Sequence, residues 1–235
     1  KTWAAAPVLL EYLVLKDGLR NLDCKNIEAD SVLDMAVDPD RTITTTSKPL
    51  HLLELGGGTG FLSVGLSKAL QRSSLQSSMH GYGTKIMCTD MDRGTVKNMR
   101  HNVCDNKVTK TVAIEKLEWG KDVGGEKFSK ALEREFKAKN ALRNPSVDDL
   151  DPIMMLTHVI GSDVHYGETT LGPLSSVVSS IKLRNPDIQV ILMMKERSPD
   201  AVADLVGEIE RKVNEGLCNN NFTVHVRDVI QSGVP

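Results

Sequence analysis

The chain has 235 residues, 40% of them apolar and 26% charged, which suits one globular α/β domain and excludes a disordered or fibrous chain. Its formal net charge of −2 argues against broad electrostatic binding to nucleic acid, and no apolar run reaches the about 18 residues of a membrane helix. Residues 3–15 (WAAAPVLLEYLVL) predict an amphipathic N-terminal helix within 1–15, with Pro7 near its start. Residues 16–49 are polar, with a short helix expected over 31–37. Leu52, Leu53 and Leu55 mark a buried strand that ends at a run of glycines. Residues 61–70 (FLSVGLSKAL) then carry apolar side chains at helical spacing. A Ser- and Gly-rich tract over 72–83 reads as an exposed loop. A second strand is expected over 85–90, a helix over 94–104 and a third strand over 112–117. The connection 121–151 is unusually long and holds a charged helical pattern over 128–142, read as a solvated helical face first and a docking helix second. A fourth strand over 152–160, a helix over 174–183, a fifth strand over 188–194, a helix over 201–215 and a last strand over 222–230 complete the order. Strands alternating with helices predict a mostly parallel sheet with helices on both faces. No internal repeat or second-domain boundary is visible, so 1–235 reads as a single domain.

The strongest chemical signal is the segment Glu54-x-Gly56-x-Gly58-x-Gly60 between the first strand and its helix. A strand, a glycine loop and a helix bring backbone N–H groups and a helix N-terminus up to a ligand. A dinucleotide fingerprint would place glycine at 61, where Phe61 stands, which disfavours a nicotinamide-dependent reductase. The second strand ends in Asp90, at the place where an acid accepts hydrogen bonds from ribose hydroxyls. Asp90 also fits a helix N-cap, a role for which Asp92 competes. The separation from the glycines exceeds the usual about 20 residues, and the 72–83 tract accounts for the excess. Cys24, Cys88, Cys104 and Cys218 form no CxxC pair, so neither a zinc site nor a disulfide framework is expected. Cys88 is simplest as a small core residue. A reducing compartment fits these cysteines, the cytoplasm first and the nucleus second. The chain starts at Lys1 without Met, so a native N-terminal region is expected to lie outside it.

The glycine segment resembles motif I of the seven-strand S-adenosylmethionine methyltransferases. The whole chain, from residue 1 to about 230, resembles the protein lysine methyltransferase family 16, cytosolic enzymes that include methylators of elongation factors and chaperones. The resemblance rests on residues 1–5 (KTWAA), 53–60 (LELGGGTG), Thr89-Asp90, Asn98 to Asn102, 117–120 (LEWG) and 161–166 (GSDVHY). The Trp-Gly after the third strand, together with Asp-x-x-Tyr after the fourth, is more specific than the glycines. It implies a Rossmann-like seven-strand sandwich and S-adenosylmethionine as cofactor. It also implies that Trp3 lies beside the cofactor, that Trp119 flanks the adenine and that Ser162 and Asp163 line the pocket. An aromatic plane at Trp119 offers stacking to a purine, although both tryptophans also fit core packing. Asp163 is assigned to orienting the amine or the cofactor, and Tyr166 to shaping the lysine channel or packing beneath it. His165 replaces the apolar residue common between acid and tyrosine, and fits either substrate contact or an incidental histidine. The function implied is protein-lysine N-methylation, with an elongation factor as the favoured substrate and a monomer expected. A noncatalytic cofactor-binding module and a methyltransferase of non-lysine substrates are the alternatives.

Overall fold

The structure, a computed structural model, describes residues 5–15, 50–72, 84–121, 125–137, 151–165, 167–195, 199–216 and 223. Within them, helices α1 (Ala5–Leu15), α2 (Phe61–Arg72), α3 (Arg93–Asp105), α4 (Glu126–Leu132), α5 (Glu168–Arg184) and α6 (Pro199–Gly216) alternate with strands β1 (His51–Leu55), β2 (Lys85–Asp90), β3 (Val112–Lys116), β4 (His158–Ser162) and β5 (Gln189–Met193). The described strands form one sheet in the order β3-β2-β1-β4-β5, parallel at every pairing. The order reverses between β1 and β4, so the crevice outside their carboxyl ends is where an open α/β sheet takes its ligand.

Side-chain alternation along the strands explains why they read as almost continuous apolar runs. Leu53, Leu55, Met87 and Val159 face one layer, where α4, α5 and α6 supply Phe128, Leu174, Val177, Ile181, Leu205 and Ile209. Leu52, Ile86, Cys88 and Ile160 face the other, against Leu9 and Leu13 of α1, Leu62 and Leu66 of α2, and Met99 of α3. Helix α1 comes close to α2 because position 65 is glycine. A Cβ there would lie 2.5 Å from Leu10 Cδ2.

One sequence expectation is corrected and one is extended. The fourth strand does not begin at Pro152. Residues Pro152–Met155 form a 3₁₀ turn, with the Asp151 carboxylate accepting from Ile153 N at 3.0 Å, and the strand starts at His158. Proline has no N–H for the ladder of an inner strand and suits the first position of a helical turn. The charged pattern in the 121–151 connection does present a solvated face, with Lys127, Lys130 and Arg134 exposed, but the helix is amphipathic and its other face is core. Phe128, Ala131, Leu132 and Phe136 are buried in the core, and α4 passes after Leu132 into a π-helical turn over Glu133–Lys137. The expected helix at 31–37, the loop at 73–83 and the last strand at 222–230 lie outside the described residues, apart from residue 223. No described helix is long and apolar enough to cross a membrane.

Candidate active site

The loop between β1 and α2 is built on three left-handed glycines, with φ of 63° at Gly56, 56° at Gly58 and 76° at Gly60. Side chains rarely adopt this backbone. Gly57 N donates to the Thr89 carbonyl at 2.8 Å, and Gly60 N to the Gly57 carbonyl at 2.8 Å. From α3, the Asn102 side-chain amide donates to the Thr59 carbonyl at 2.8 Å. The two faces of the loop differ. A Cβ on Gly57 would fall 2.2 Å from Cys88 Sγ, whereas one on Gly58 would meet nothing within 4 Å. The loop thus lies hard against β2 behind Gly57 and is open in front of Gly58.

Asp90, at the carboxyl end of β2, turns its carboxylate to this loop. Gly58 N donates to Oδ2 at 3.1 Å, and Asp92 N to Oδ1 at 3.1 Å. The competition for the α3 cap is settled by Asp92, whose Oδ2 accepts from Thr95 N at 2.7 Å. That bond to the backbone of Thr95 holds the Asp92 carboxyl below its ordinary range. Asp90 is left at the mouth of the crevice.

Trp119, three residues past β3, is half-buried and packs on the core. A Cβ on Gly56 would come within 3.3 Å of its ring, so the indole rests against the loop. Ser162 ends β4 and is nearly buried. Asp163 follows with φ 54°, a backbone that aspartate tolerates better than most residues, and its N–H donates to the Met193 carbonyl at 2.7 Å. Its side chain is buried. His165 is also buried, with Nδ1 3.1 Å from Thr170 Oγ1, a contact within its own loop and helix. Trp3 and Tyr166 lie outside the described residues.

Glu54 is not on the open side of the loop. It is 1% exposed and lies beneath Gly57, bonded by the Ser63 hydroxyl and beside Cys88. Burial pushes its carboxyl up to about 7, the Ser63 and Cys88 hydrogen bonds pull it down, and the Asp90 charge adds to the rise. The Cys88 thiol is pushed up by its own burial and by Glu54. Ser63 is a supporting residue that the sequence does not single out, while Cys88, expected only as core, and Asn102, noted only as part of a motif, also support the loop. The available signal is a hydroxyl in the first turn of the helix after the glycines, together with a cysteine in register with Glu54 across β1 and β2.

Four chain segments thus bring the glycines, Asp90, Trp119 and Ser162-Asp163 to one edge of the sheet. The arrangement fits a nucleoside with a charged tail. Open space faces a glycine, an acid stands at the carboxyl end of the second strand, and an aromatic ring flanks the loop. The sequence profile described as lysine methyltransferase matches residues 1–133, more than half of the chain, and the chain belongs to that family. The family carries S-adenosylmethionine as its cofactor. Comparison with curated proteins gives no match. Similar solved structures include a precorrin-6y C5,15-methyltransferase from Geobacter metallireducens GS-15, 14% identical with TM-score 0.41, covering 72% of this chain and 65% of that one. A precorrin 8W decarboxylase from Methanobacterium thermoautotrophicum is 13% identical with TM-score 0.40, covering 70% of this chain and 63% of that one. A ribosomal protein L11 methylase from Lactobacillus delbrueckii subsp. bulgaricus is 14% identical with TM-score 0.41, covering 71% and 62%. The chain therefore spans less than two thirds of the length of each.

Proposed function

We propose that this protein is a protein-lysine N-methyltransferase. The observation that carries the proposal is the convergence of the open Gly58 loop with the left-handed Asp163 at one sheet edge, in a chain of the lysine methyltransferase family. Gly56, Gly58 and Gly60 bring backbone close to the cofactor, Asp90 receives the ribose hydroxyls, Trp119 flanks the adenine, and Ser162 lines the pocket. The family resemblance adds Trp3, which lies outside the described residues, to the residues beside the cofactor. Glu54 holds the loop from behind.

The cofactor supplies a methyl group on a sulfonium, which leaves by in-line attack. The protein's task is to place a nucleophile along that line and keep water from it. A lysine amine attacks only when neutral, and its ordinary pKa near ~10.4 must fall on entering the site. Desolvation at the crevice lowers it, while the Asp163 carboxylate attracts and orients the entering ammonium. The family resemblance assigns to Tyr166, which lies outside the described residues, the shaping of the channel through which the lysine reaches the methyl. The substrate is a protein, with an elongation factor favoured by the family resemblance, and the enzyme works in the cytoplasm as a monomer. The −2 net charge gives no broad attraction to nucleic acid.

The test is methyl transfer from labelled S-adenosylmethionine to proteins of a cytosolic extract, followed by mass spectrometry of the labelled site. Label on a lysine side chain is expected. Label only on histidine, RNA or a small molecule would overturn the lysine assignment.

A further inference from the structure

Glu54 is the buried acid that the methyl-transfer scheme leaves without a chemical part. Its carboxyl is bonded by Ser63, in the first turn of α2, and faces Cys88 from β2. A Cβ placed on Gly57 would stand 3.4 Å from Glu54 Cδ, so the carboxyl backs onto the loop whose front is open at Gly58. Among the described residues, the titratable groups facing it are Cys88 and Asp90, both of β2. From α3, Met99 presents its sulfur 3.2 Å from Cys88 Sγ. None of these three groups carries a positive charge to hold Glu54 ionised. Asp90 is the link forward, since its carboxylate accepts from Gly58 N at 3.1 Å. Two carboxyls therefore share one loop, one behind it and one at its mouth.

S-adenosylmethionine carries one net positive charge at neutral pH, and the demethylated product carries none. We propose that Glu54 is a positioning residue that gives up its proton when the cationic cofactor binds, so that this loop holds cofactor and product with different dependence on pH. The inference rests on the cofactor-site assignment above. The step is a simple ionisation. The O–H bond of the Glu54 carboxylic acid breaks, the proton passes to buffer, and the carboxylate left behind interacts through the low-dielectric loop with the arriving sulfonium. The carboxyl stands ready for it, because burial holds it close to about 7. A downward displacement of one pKa unit on binding would release roughly 0.4 proton at pH 7 and tighten binding roughly fivefold between pH 6 and pH 8. The neutral product lacks the sulfonium charge that drives the release. At alkaline pH the enzyme would thus favour cofactor over product, relieving product inhibition.

Titration calorimetry of the full chain tests this with S-adenosylmethionine and with the demethylated product. It is run from pH 6 to 8 in phosphate and in Tris, whose ionisation enthalpies differ. The cofactor's own amino group titrates near ~8, so the quantity that counts is wild type minus Glu54→Gln. The expected difference is about 0.4 proton at pH 7 for the cofactor and a smaller release for the product. Equal proton release by wild type and a folded Glu54→Gln protein would overturn the proposal while leaving the cofactor site intact. Should Glu54→Gln not fold, Ser63→Ala decides. Losing that hydroxyl donor should move the midpoint of the pH dependence upward, and an unmoved midpoint would overturn the proposal. Failure of wild type to bind the cofactor at any pH would remove the site assignment itself and the inference with it.

Discussion

The two ends of the β-sheet each bury a titratable group, and they treat it in opposite ways. At the carboxyl edge Glu54 lies behind the glycine loop and is pushed up to about 7 by burial. At the amino edge His158, the first residue of β4, is 2% exposed and is pushed down to about 4 by burial. Each fold environment selects the neutral form. His158 Nδ1 lies 2.8 Å from Thr157 Oγ1, and around it the polar groups are tied to backbone. His51 Nδ1 bonds the Met155 carbonyl at 2.9 Å, and the Asn185 amide reaches the Ile153 and Leu156 carbonyls at 3.0 and 2.8 Å. Arg184 grips Asp151 with two bonds of 2.7 Å. Apart from His158 Nε2, which is buried without a hydrogen-bond partner among the described residues, the polar groups of the amino edge form a network that fixes structure. The carboxyl edge instead keeps three left-handed glycines, an aspartate at φ 54° and an open space at Gly58. Strain and open space together, and not buried charge alone, separate the site from the scaffold.

The largest expected effect breaks the open edge directly. Gly58→Arg puts a long side chain into the space in front of the loop, where no atom lies within 4 Å of a Cβ. The chain should fold, at a cost of about 1–2 kcal/mol for the left-handed backbone. Calorimetry should show S-adenosylmethionine affinity reduced more than about a hundredfold, or ~2.7 kcal/mol. Unchanged affinity in the folded variant would move the cofactor elsewhere.

The amino edge should instead move stability alone. His158 is neutral in the fold, so its contribution is fully present above the ordinary histidine value of 6.5 and is lost as pH falls through that value toward about 4. The loss is on the order of 3 kcal/mol. Glu54 runs the other way. Its folded value lies above the ordinary 4.5, so the stability due to its protonated form is lost as pH rises from 4.5 to 7. Between pH 6.5 and 4.5 these two contributions oppose each other in wild type, so His158→Leu, which keeps only the Glu54 contribution, should lose less stability than wild type or gain some as pH falls over this acid limb, while keeping wild-type cofactor affinity at pH 7.5. An identical acid limb in both proteins would show that His158 is not held neutral.

Legibility in the sequence followed the same division. The strand, glycine loop and helix from Leu52 to Leu70 stood out because three glycines interrupt an apolar run, and only backbone sterics require that. The end of β2 at Asp90 was equally plain, since an acid closes a run of buried residues. The start of β4 was not, because Pro152, Ile153 and Met154 continue the apolar run and periodicity cannot tell a buried turn from a strand. Likewise the Lys- and Glu-rich pattern at 126–137 hid Phe128, Leu132 and Phe136, whose burial depends on the sheet face they meet. The support beneath the loop was the least legible. Ser63 and Cys88 meet Glu54 only because α2 folds back over β1 and the pairing register sets Glu54 against Cys88. A pattern along one segment does not contain such a convergence.

The smallest expected effect is also the most selective. Asp163 sits at φ 54°, where asparagine is as well tolerated as aspartate, and its backbone N–H bond to the Met193 carbonyl does not depend on the side chain. Asp163→Asn therefore keeps size and backbone and removes one negative charge. If that charge draws in the substrate ammonium and orients the amine, turnover should fall about tenfold to a hundredfold, the weight of about 1.5–3 kcal/mol for a charged hydrogen bond. S-adenosylmethionine affinity should stay within about twofold, because Gly56, Gly58, Asp90 and Trp119 are untouched. Steady-state kinetics on the identified protein substrate separate the two ways to fail. A rise in KM with kcat preserved would assign Asp163 to uniform substrate binding. Wild-type kcat and KM together would make its left-handed backbone a feature of the turn after β4, and the nucleophile would have to be positioned by another group at this edge.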